Sequence, residues 1–103
     1  MVSIRDVDAL IEQHHAHRAE LRAFRTRVRR GYEAIVAETI ADLEGERNPY
    51  VRDDLRREIT DCESELQIMA AEDVESDRTA AESLARLEQY RADVLRRQSM
   101  QAA

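Results

Sequence analysis

Leu43, Glu44, Gly45, Glu46, Arg47, Asn48 and Pro49 form the stretch on which the fold turns. Glycine is a natural residue just past a helix end. Asparagine followed by proline restarts a helix. Asn48 caps it, and Pro49 takes the first helical position, where the missing N–H costs nothing. A stop near Glu44 and a restart at Pro49 leave a connection over about 45–48. A link that short between long helices makes them antiparallel neighbours.

Upstream of this turn, Ser3 reads as a helix cap, with Asp6 three residues on and Val2 and Val7 placed to staple the entry. From there an apolar seam advances in steps of three and four through Val7, Leu10, His14, His17, Leu21, Phe24, Val28, Gly31 and Ile35. That spacing belongs to a helix and excludes a strand. Ile4 and Ile11 widen the seam at its start. After Gly31 the stripe shifts to Tyr32, Ile35, Val36, Ile40 and Leu43, a local break in the heptad. A glycine inside a helix costs about 1 kcal/mol relative to alanine, so Gly31 marks either a bend or a close helix contact.

Downstream, Leu55, Ile59, Cys62, Leu66 and Met69 follow four-three steps. The register continues through Asp73, Ser76, Ala80, Ser83, Leu87, Tyr90 and Val94. One helix over about 49–98, followed by a tail over 99–103, is the favoured reading. The alternative is a break near 73–79. There Ser76 or Asp77 could cap a third helix, and Thr79 with Glu82 forms another capping box.

The charge order supports the hairpin. All 16 basic residues are arginine, against 22 acids, for a net charge of −6. Six arginines and one acid lie between Arg18 and Arg30, and eight acids and one arginine between Asp61 and Glu82. An antiparallel turn lays the first block beside the second. It also lays the acidic stretch Glu33–Glu46 beside Arg47, Arg52, Arg56 and Arg57. Flanking charges of this kind set helix orientation.

Composition bounds the rest. At 103 residues, 37% charged and 43% hydrophobic, the chain is expected to be one all-α domain over 1–103. It is too apolar to be disordered by composition, yet thin for a compact core. The expected architecture is an elongated, coiled-coil-like antiparallel hairpin that completes a helical bundle by self-association. Ile68, Val74, Leu84 and Leu95 beside the second seam, with Ile4, Ile11, Val36 and Ile40 beside the first, supply extra apolar width. A lone Cys62 fits a reducing compartment, and no basic-then-apolar leader is visible, so a cytoplasmic location is expected. No membrane partner is expected.

Chemistry-bearing residues are few. His14 and His17 share the seam face, near Asp73, Ser76, Asp77 and Ser83 of the second helix. They are expected to form a hydrogen-bonded polar layer that fixes register. Such a layer would make stability depend on pH. A metal site built on His14, His17, Asp73 and Asp77 is the alternative. Glu12 and His15 have the spacing of di-iron helices, without the second copy such sites need. The run Arg18–Arg30 suits phosphate, but lacks interleaved aromatics beyond Phe24, so nucleic acid is a further alternative. No glycine-rich phosphate loop and no activated nucleophile is visible, and no cofactor is implied. The expectation is therefore a non-catalytic protein–protein interaction module, an assembly, adaptor or regulatory subunit. Its partner would be a second copy or another helical protein. Leu10, Leu21, Phe24, Val28, Leu55, Ile59, Leu66, Met69, Leu87 and Val94 are the expected packing residues.

Overall fold

The computed structural model describes residues 2–102. The chain is an antiparallel hairpin of two helices, α1 (Ile4–Gly45) and α2 (Pro49–Ala102). No strand occurs among the described residues. α2 runs unbroken through 73–79, so no third helix forms there. Ser76 sits at a half-buried seam position rather than at a cap. The helix also continues through most of the expected tail.

The ends are fixed by side chains, as the sequence requires. Ser3 and Asp6 make a reciprocal capping box. The Asp6 N–H donates to Ser3 Oγ at 3.2 Å, and the Ser3 N–H donates to Asp6 Oδ2 at 3.1 Å. Those bonds, with a 2.9 Å bond from the Ser3 hydroxyl, hold the Asp6 carboxyl below its ordinary range. At the start of α2, Asn48 Oδ1 accepts the Tyr50 N–H at 2.9 Å, and Pro49 is the first helical residue.

Gly45 departs from expectation. It remains within α1, and neither glycine has a positive φ, so no left-handed cap closes the helix. The cap comes from across the turn. Arg52 Nη1 donates to the carbonyls of Leu43 and Glu46, at 2.7 Å each. Carbonyls at a helix C-terminus lack intrahelical partners and carry partial negative charge, which a guanidinium satisfies. The Glu46 carboxylate then accepts the N–H groups of Arg47 at 3.1 Å and Asn48 at 3.0 Å. The turn is therefore tied by charged side chains where glycine geometry was expected.

The chain's contacts sort into two compact units, each an antiparallel pair of helix segments. One joins α1 up to Arg22 with α2 from Glu75, and the other spans Ala23–Val74. On α2 the shielded positions follow the expected seam, with Leu55, Ile59, Cys62, Leu66 and Met69 half-buried in one unit, and Leu87 half-buried and Val94 buried in the other. On α1 the seam shares Val7, His14, Leu21 and Val28 with the expected one, but its other column differs. Ile4, Ile11, Arg18, Arg25 and Tyr32 are shielded, whereas Leu10, His17, Phe24, Gly31 and Ile35 are exposed. Phe24 is 55% exposed and Leu10 46%. The reason is that Arg18 and Arg25 lay their aliphatic stems on the seam and send their charges to acids of α2. Beyond Arg25 the shielded positions of α1 are Thr26, Val28, Tyr32, Val36, Thr39 and Leu43. The two steps of four, Val28 to Tyr32 to Val36, break the heptad near Gly31, but of the stripe expected there only Tyr32, Val36 and Leu43 are shielded, while Ile35 and Ile40 are exposed and Thr39 is buried in their place. Thr39 is buried there with its hydroxyl donating to the Ile35 carbonyl at 2.7 Å. Gly31 makes no close contact, since a Cβ built on it meets nothing within 4 Å.

Candidate functional site

Two surfaces stand out, one in each unit. In the unit holding the chain ends, a groove of about 380 Å³ is lined by His14, His15, Arg18, Arg22, Asp77 and Leu84, among others. Arg18 occupies a seam position on α1, and its guanidinium reaches both the Ser76 carbonyl, at 3.4 Å, and the Asp77 carboxylate. Arg22, one turn on, lies 3.9 Å from the same carboxylate. Further along this unit, Arg91 pairs with Asp8 at 2.6 Å, a cross-helix link that neither seam announced. That carboxylate holds the Arg91 guanidinium above its usual pKa. Arg78 is held up likewise by Glu75 and Glu82 of its own helix.

The histidines do not converge. His14 is half-buried on the seam, and His15 meets it edge to face with ring centroids 5.7 Å apart. His17 is exposed, because the seam runs through Arg18 instead. The expected polar layer of His14 and His17 against Asp73, Ser76 and Ser83 is thus replaced by arginine–acid and arginine–carbonyl pairs. Ser83 accepts a bond from Arg86 of its own helix at 3.3 Å. No group of three or more His, Cys, Asp or Glu side chains among the described residues is placed to hold a metal ion. Asp77 and Asp73 face Arg18 and Arg25 instead.

The basic and acidic blocks meet at three ion pairs, Arg18–Asp77, Arg22–Asp77 and Arg25–Asp73, the last at 3.3 Å. Arg18 and Arg25 are the more shielded of the three, and the Arg22 side chain is 65% exposed. Among the described residues, no ion pair joins the acidic stretch Glu33–Glu46 to Arg47, Arg52, Arg56 or Arg57. Arg56 and Arg57 pair with Asp53 and Asp54 one turn back on α2, and Arg52 serves the turn.

The second surface is a stripe on α1 within the unit spanning Ala23–Val74. Phe24, Arg27, Gly31, Ile35, Glu38 and Asp42 follow three-four spacing along the helix, and every one is exposed. Ile35 is 41% exposed. Cys62, by contrast, is half-buried between Ile59 and Leu66 as a small seam residue.

No helix among the described residues is long and apolar enough to cross a membrane. No protein-family model, curated protein or solved structure matches the chain significantly. The class that fold and surface define is an all-α helical hairpin.

Proposed function

We propose that this chain is a non-catalytic protein–protein interaction module, an assembly, adaptor or regulatory subunit working in the cytoplasm. It acts by helix-on-helix packing, in the manner of a coiled coil whose arginine and acid blocks set register. Its partner is a second copy of itself or another helical protein. The observation that carries this reading is how little two helices bury. Val7 and Val94 are the only buried hydrophobic side chains among the described residues. The accessible surface is 7937 Å². A compact monomer of 11.9 kDa exposes about 6000 Å². The uncovered apolar side chains include Phe24 and Ile35 on one stripe, and such stripes are where partners dock.

A photo-crosslinking residue placed at position 24 tests the reading in the cell that makes the protein. The expected result is a covalent adduct with a protein, absent when the same residue is placed at the exposed polar position of Gln67. No adduct with any protein from position 24 would overturn it.

A further inference from the structure

Resting on that reading, we propose that the stripe of Phe24, Arg27, Gly31, Ile35, Glu38 and Asp42 docks against the same stripe of a second copy, with the two α1 helices antiparallel. A two-fold interface must be self-complementary, because each residue meets the reversed order of its own surface. Reversing this stripe sets Arg27 against the partner's Glu38 and Gly31 against the partner's Ile35, each pairing occurring twice. Phe24 then lies at the rim beside the partner's Ala41 and Asp42.

Each pairing answers something the chain leaves open. None of the ion pairs among the described residues uses Arg27, Glu38 or Asp42. Those charges therefore have no use in closing the hairpin, yet their order along α1 is basic before Gly31 and acidic after Ile35. That order is wrong for a parallel pair, where like faces like, and right for an antiparallel one. Gly31 leaves open space where a Cβ would be. The exposed Ile35 side chain supplies the bulk to fill it, and a glycine lets two helix backbones approach closely.

Light scattering on the full chain at low salt, with circular dichroism to check helicity, tests this. The wild type is expected at the mass of two chains. Arg27→Glu and Glu38→Arg each set like charges together at both symmetry-related pairs, and each is expected to fall to one chain while staying helical. The double variant Arg27→Glu/Glu38→Arg restores opposite charges and is expected to return to two. Gly31→Leu replaces a poor helix former on an exposed face, so it keeps the fold while filling the gap. It too is expected at one chain. A single-chain wild type, a dimer indifferent to the charge reversals or to Gly31→Leu, or a double variant that stays single would overturn the proposal. If the wild type is single but position 24 still crosslinks to a different protein, the second copy is refuted and the interaction reading stands. If the wild type is single and position 24 crosslinks to nothing, both fall.

Discussion

Arg52→Met removes the guanidinium that closes the turn and keeps most of the aliphatic stem. In the native hairpin one nitrogen of Arg52 donates at 2.7 Å to both the Leu43 and Glu46 carbonyls. A hydrogen bond involving a charged group is worth about 1.5–3 kcal/mol net where it is well buried. Arg52 is only half-buried, and both carbonyls lie beside an exposed turn where water can replace the lost donor. Those facts bring the combined loss to about 2 kcal/mol. For a domain of this size that lowers the melting temperature by roughly 10 °C. The assay is thermal denaturation followed by helical circular dichroism, with variant and wild type at the same concentration because association shifts melting. A variant melting within about 2 °C of wild type would refute the reasoning, since the cap would then contribute less than about 0.5 kcal/mol.

The remaining predictions concern the helix ends, the core and the surface. Ser3→Ala removes the hydroxyl half of the capping box and should cost about 1 kcal/mol. It should also return the Asp6 carboxyl toward its ordinary pKa, as read by NMR titration. Because the folded pKa of Asp6 is depressed, its contribution is complete above the unfolded value and is lost as pH falls through the folded one. Ser3→Ala should therefore flatten the acid side of the stability profile, and an unmoved Asp6 titration would count against the box. Val7→Ala, at a fully buried position, should cost about 2 kcal/mol in chemical denaturation. Val74→Ala, at a side chain 70% exposed, should change stability by less than about 0.5 kcal/mol. Equal effects would mean that burial is misplaced. Gly31→Ala should stabilise the dilute single chain by about 1 kcal/mol, because φ is not positive and the new methyl meets nothing. A lowered melting temperature would contradict that.

The hairpin was legible because its signals are local and redundant. Asn48–Pro49 fixes the restart, and the second seam from Leu55 to Val94 was read position for position. The first seam misled for a physical reason. Val7, His14, Leu21 and Val28 belong to both candidate registers, so only the second column distinguishes them. Hydrophobicity favours Leu10, Phe24 and Ile35 for that column. The hairpin uses Arg18 and Arg25 instead, because their stems cover the seam while Asp77 and Asp73 take their charges. That choice depends on charges nearly sixty residues away, in the case of Arg18 and Asp77. The same displacement moved His17 into solvent and dissolved the expected histidine layer. The capping of α1 was hidden for a related reason, since nothing local marks Arg52 as the partner of Leu43. Three of the misread positions, Phe24, Gly31 and Ile35, lie on the stripe of α1 that the hairpin leaves exposed.

The central claim is that this uncovered stripe is covered in solution by protein, and first by a second copy of the chain. Molar mass by light scattering across a dilution series at low salt tests it most directly. The account predicts twice 11.9 kDa at high concentration, falling toward 11.9 kDa on dilution. A mass of 11.9 kDa at every concentration would contradict it.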